Sequence, residues 1–353
     1  MARTGSVVVA LASVGLLACG GDAGGQLFGW AGGGPTPGGS GDDAGTAADA
    51  PTINPGEGDG ATPTPSADAG RVLDSGGSQD TGSSSPDAGS GCYSEPYDPS
   101  ASLTDLASAY TSAAWLTSSM TAMQRRYPTG YFVLNAEQSD SQLPSFADPS
   151  SWSALMESLM TMVHEETHGW DFDNAQGTSH PYVLLDTLQI TVPQATTWPR
   201  SEILQYITDT STQQYDQTYL TGTQGTYDAI FLFEELNAYC NGLAAITAVG
   251  DQITQQISAR DGVVAHLYYL ELYLMVGRTA HASDYAAVKA DPSWQKLARY
   301  EWARGHFWDG QARPNPNLDI GSTPIWAHVN DPANLAEIQQ FTGEAPDAVA
   351  CHP

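Results

Sequence analysis

The sequence predicts an α+β domain that is mostly helical, carries a small sheet and follows a long unstructured leader. Three observations predict it. From Gly20 to about Gly91 the chain is Gly, Asp, Ala, Pro, Ser and Thr, with almost no large apolar residues. From Cys92 onward aromatics, Leu, Ile and Met appear, and apolar residues recur at helical spacing in long runs. Only short stretches alternate as strands do. The 353 residues suffice for one large domain or two small ones.

The leader comes first. Arg3 gives a short positive start, and Val7 to Leu17 is an apolar stretch too short to span a bilayer. It ends in Leu16-Leu17-Ala18-Cys19-Gly20. This resembles a bacterial lipoprotein signal, which implies removal of residues 1–18 and acylation of Cys19. Several acyl chains anchor firmly where one does not, at about 0.8 kcal/mol per buried methylene. The resemblance implies an exported protein of a bacterial envelope, at the outer membrane or cell surface, held only through lipid on Cys19. An ordinary signal peptide with a coincidental cysteine is the alternative. Residues 19–91 follow as a linker, with Asp-Ala-Gly recurring at Asp22, Asp43, Asp68 and Asp87. Such a composition cannot bury enough surface to offset its ordering entropy. A coil of about 70 residues spans about 45–50 Å.

The domain is expected over residues 92–353. Leu103 to about Arg126 reads as a helix, and Tyr131 to Leu134 as a short β-like run after a Pro128-Thr129-Gly130 turn. Ser150 or Ser151 can cap a helix reaching about Trp170. Tyr182 to Val192 alternates as a strand. Further helices are expected over about 226–249, 261–277, 292–308 and 333–341. The 261–277 run contains His266 and Glu271, which suits a core helix better than a membrane span. Three cysteines lie beyond Cys19: Cys92, Cys240 and Cys351. A Cys92–Cys351 bridge would clamp the domain ends, worth about 5 kcal/mol in the chain-entropy model. Pairing of Cys240 with either partner stays open.

Charge excludes one class of function. The formal net charge is -28. Such a chain repels nucleic-acid phosphates, so no nucleic-acid partner is expected.

The chemistry is concentrated in His164-Glu165-Glu166-Thr167-His168. On a helix, i and i+4 share a face, so both imidazoles can converge on one ion. Glu165 comes next along the turn, where it can accept a proton from zinc-bound water. Two solvent-facing histidines on a helix are the bland alternative. Zinc needs a third protein ligand and an open position.

Here the sequence resembles the zincin metallopeptidases. The metzincin branch requires Gly and His where Asp171 and Asn174 stand. In the gluzincin branch a glutamate of a later helix, in an E-x-x-A setting, completes the site, and Glu235-Leu236-Asn237-Ala238 matches that form. The resemblance covers only these two helices. It implies a zincin-like domain holding one Zn2+ on His164, His168 and Glu235, with Glu165 as general base in hydrolysis of a peptide or protein substrate. Glu234, Asp228 (in a G-T-x-D segment like that of the aspzincins) and Asp171 are alternative third ligands. Asp171 also suits a second role, accepting an N–H from a ligand imidazole. Tyr239, Tyr182, His180 and Tyr227 are candidate oxyanion donors. For each, an aromatic in the core or a satisfied polar group is the plainer reading, and His266, His281, His306, His328 and His352 read as core or surface histidines. A non-catalytic, zinc-binding surface lipoprotein that binds a partner or wall component is the rival class. Retention of Glu165 and both histidines favours the enzyme.

Overall fold

The computed structural model describes residues 92–318 and 322–353. The signal and linker expected over 1–91 lie outside the described residues. Within them the protein is mostly helical, with one two-stranded antiparallel sheet.

The first expected helix is broken. Thr104–Ala109 (α1) stops at Tyr110, which is extended, and Thr111 is extended too. A 3-10 turn then leads into Trp115–Arg126 (α2). The β-like run at Tyr131–Leu134 is instead part of a helix, Pro128–Ala136 (α3). Pro128 occupies the first turn, where its fixed φ and missing N–H favour helix initiation. The proline that suggested a turn is therefore a helix start. After the short α4, Leu143–Phe146, comes Trp152–Asp173 (α5), capped by Ser151 Oγ, which accepts from Ala154 N at 3.1 Å.

The single strand expected over 182–192 is a hairpin. Ser179–Leu185 (β1) pairs with Leu188–Pro193 (β2), reversing at Asp186-Thr187. Asp186 N donates to Thr129 Oγ1 at 3.2 Å, pinning the turn to α3. A 3-10 segment, Arg200–Tyr206, and the short helices Gln213–Tyr219 (α6) and Gly222–Gly225 (α7) then approach the central helix, Ala229–Ala248 (α8). Asp228 caps α8, its carboxylate accepting from Ile230 N at 3.1 Å.

Helix α8 is buried almost throughout, and α5, Arg260–Ala280 (α9) and Pro292–Ala312 (α11) pack around it. Between these last two lies Ala282–Ala290 (α10). Ser322–Val329 (α12), Pro332–Thr342 (α13) and Pro346–Cys351 (α14) close the chain. Pro at the first turn after an Asp cap starts both α11 and α13, and Gly343 ends α13 at φ 79°, a left-handed cap that favours glycine. No helix among the described residues is long and apolar enough to cross a membrane.

Helices α5 and α8 run antiparallel. Contacts step from Met160 beside Gly242, through His164 beside Tyr239, to Phe172 beside Phe231. A Cβ at Gly242 would lie 2.8 Å from Met160 O and 3.2 Å from His164 Cβ, so only glycine permits this approach. Cys92 is bonded to Cys351, and Cys240 is a buried thiol.

Candidate metal centre

Two elements supply the site. The capped amphipathic helix α5 places His164 and His168 one turn apart on the face toward α8. Helix α8 presents Glu234 and Glu235 opposite them. Asp228 is engaged as the cap of that helix and is not among the residues whose ligand atoms converge.

His164 Nε2 and His168 Nε2 lie 3.1 Å apart. Glu235 Oε2 is 3.5 Å from the second and 3.9 Å from the first. Donors on a tetrahedral metal with bonds of 2.0–2.1 Å sit about 3.3 Å apart. The three atoms therefore bracket one coordination sphere, and all lie within 4.8 Å of one another. Glu235 Oε2 is buried without a hydrogen-bond donor, a costly state for a carboxylate unless a cation meets it. The residues present thus fit a metal ion. Nitrogen and carboxylate donors suit zinc and several other transition metals.

Glu234 has a different place from Glu235. Its Oε1 is hydrogen-bonded to His168 Nδ1. That bond puts the proton on Nδ1 and leaves Nε2 to ligate. The role foreseen for Asp171 thus falls to Glu234. Asp171 instead accepts from Val183 N and Asn237 Nδ2, both at 2.8 Å, tying β1 and α8 to the end of α5.

The charges follow from burial and proximity. Burial, then the neighbouring His168, lowers the His164 pKa to about 3, so its imidazole is neutral. Burial also opposes charge on His168, but Glu234 and Glu235 outweigh it and raise that pKa. Burial alone would raise Glu235; His168 and then Arg200 reverse this and hold it at about 2. Glu234 is raised by burial, opposed by His168, with Glu235 and Glu165 adding to the rise. Glu165 is half-buried, next to His164 on α5.

The candidate oxyanion donors separate. Tyr182 donates its hydroxyl to Ile230 O at 3.0 Å, and the Tyr239 and Tyr219 hydroxyls share a bond of 2.7 Å. Tyr227 stacks on Phe231. His180 Nε2 is buried without a partner, with its ring against Phe172 and Tyr182. The Tyr239 ring packs edge-on to His164 and stacks on His266 of α9. Gly262 makes this possible, since a Cβ there would fall 2.3 Å from the Tyr239 ring.

A buried polar network supports the back of the site. Arg304 on α11 donates to Glu95, Asn237 and Asn241. Asn241 donates to Thr167 Oγ1 and Val183 O, and Tyr127 donates to Asn241. The network joins the start of the domain to α5, α8 and β1.

Sequence reasoning missed Arg200 and the glycines at 242 and 262, whereas His266, expected as a core or surface histidine, is fully buried. Glu234 had one cue, its adjacency to Glu235 in an apolar helix. Arg200 had none, because its segment shows no periodicity. Comparison with protein-family models, with curated proteins and with solved structures gives no match.

Proposed function

We propose that this chain is a zinc-dependent hydrolase of peptide bonds, of gluzincin-like zincin type, acting outside the cell on a lipid-held tether. The convergence of His164, His168 and Glu235 carries the reading. The terminal disulfide supports export, since such bonds persist in oxidising compartments.

A zinc ion held by these three residues would polarise the scissile carbonyl and acidify water. The protein supplies the rest. Glu234 orients His168, and neutral His164 offers its lone pair. Glu165 takes a proton from the attacking water and passes it to the leaving amine. The surrounding aromatics keep the centre in a low-dielectric setting, where each charge acts more strongly.

The test is metal analysis of the purified protein together with hydrolysis of an unstructured protein such as casein. One zinc per chain and chelator-sensitive cleavage are expected. Glu165→Gln should keep the zinc and lower kcat by about 10²–10⁴-fold. Absence of stoichiometric transition metal, or cleavage indifferent to chelation, overturns the proposal.

A further inference from the structure

We infer that Arg200 is the positioning residue of this centre, holding Glu235 so that only one of its oxygens faces the imidazoles. The inference rests on the metal reading above and adds a control over coordination.

Arg200 belongs to the 3-10 segment after the hairpin and is fully buried. Its Nη1 lies 4.0 Å from Glu235 Oε1, while Oε2 of the same carboxylate faces both imidazoles. The guanidinium is fixed on its remaining sides. Nε donates to Gln224 O at 2.9 Å, Nη2 donates to Gln224 Oε1, and Nη1 donates to Phe231 O at 3.4 Å. The rings of Tyr219 and Tyr227 lie 5.4 and 5.6 Å from its centre. Arg200 N donates to Tyr227 O at 2.7 Å, so the backbone is anchored as well.

Burying a guanidinium costs several kcal/mol unless charge and hydrogen bonds compensate it. This chain has 12 Lys and Arg against 40 Asp and Glu, and it places one of those few cations beside a carboxylate of the candidate centre. A carboxylate can hold a metal through one oxygen or two. Binding through both would occupy a position that substrate needs, since a catalytic site keeps one open. With Oε1 drawn toward a rigid cation, Glu235 is confined to one-oxygen binding. Arg200 touches neither substrate nor metal in this role; it acts through Glu235.

The experiment uses the full chain loaded with Co2+ in place of Zn2+, because visible absorption of Co2+ reports coordination number. Wild type is expected to show the intense bands of four-coordinate Co2+. Arg200→Met should lose that intensity as Glu235 adds its second oxygen. Its zinc form should lose about 10–100-fold in kcat with KM little changed. Arg200→Lys, which keeps the charge, should retain more of the wild-type spectrum. Gln224→Ala, which removes the side-chain acceptor of Nη2 and loosens the guanidinium, should give an intermediate spectrum. An unchanged spectrum in folded Arg200→Met overturns the inference and leaves the metal reading intact. Should Arg200→Met not fold, an unchanged spectrum in Gln224→Ala overturns it equally. Wild type that takes up no stoichiometric metal removes the reading beneath it.

Discussion

Adjacent glutamates on α8 divide two tasks between them. Glu235 points one oxygen at both imidazoles, whereas Glu234 engages the far nitrogen of His168. Their substitutions should therefore separate. Glu235→Ala is expected to abolish stoichiometric zinc. On the proposed metal reading, Glu234→Gln is expected to keep it with affinity lowered about 10–100-fold, the usual cost of losing a hydrogen-bond partner of a ligand histidine. Titration against a competing zinc dye measures both, and the reverse ranking would reassign the ligand. The motif letters and the E-x-x-A spacing made the convergence of His164, His168 and Glu235 legible from sequence. The hydrogen-bonding of Glu234 was not, because neighbouring residues on a helix point about 100° apart and only the packing angle decides which meets which atom. The stacking of His266 on Tyr239 was not legible for a similar reason: it depends on how α9 crosses α8.

Helices α5 and α8 form the seam that makes the site, and Gly242 sets their separation. Gly242→Ala drives a methyl into the backbone oxygen of Met160, which cannot swing aside as a side chain would. A loss of about 1–3 kcal/mol is expected, as for other overpacked contacts, together with weaker zinc binding. Urea unfolding and the same dye titration check the two effects; a stable variant with wild-type affinity would show that the seam tolerates spreading. Long periodic runs announced both helices, and the Ser150-Ser151 pair marked where α5 begins, with Ser151 the cap. Shorter elements were harder. Pro128 marks a turn and a helix start with the same letter, and the hairpin turn at Asp186-Thr187 lacks the glycine that usually flags one.

Across the whole molecule, buried charge links the site to stability. Glu301 and Arg304 of α11 are both fully buried, 3.6 Å apart, and Arg304 reaches through Asn237 and Asn241 toward α5. Burial, only partly offset by Arg304, raises the Glu301 pKa from 4.5 to about 8. The native state therefore binds a proton that the unfolded chain releases above about pH 4.5. Stability owed to neutral Glu301 is present below that value and is lost as pH rises through about 8. Glu301→Gln should consequently gain stability relative to wild type between about pH 5 and pH 8, read as a difference of urea midpoints; a constant difference would mean that Glu301 does not titrate in this window. Composition made the acidity of the chain plain, yet gave no hint of which acids lie inside. The Cys92–Cys351 bond has a consequence of a different kind. It turns the backbone between those residues into a covalent ring, and a ring severed once remains one molecule. A protease that nicks the exposed residues 208–210 should leave a single full-size band without reductant and two fragments with it. Two separate pieces without reductant would mean that the ring is open.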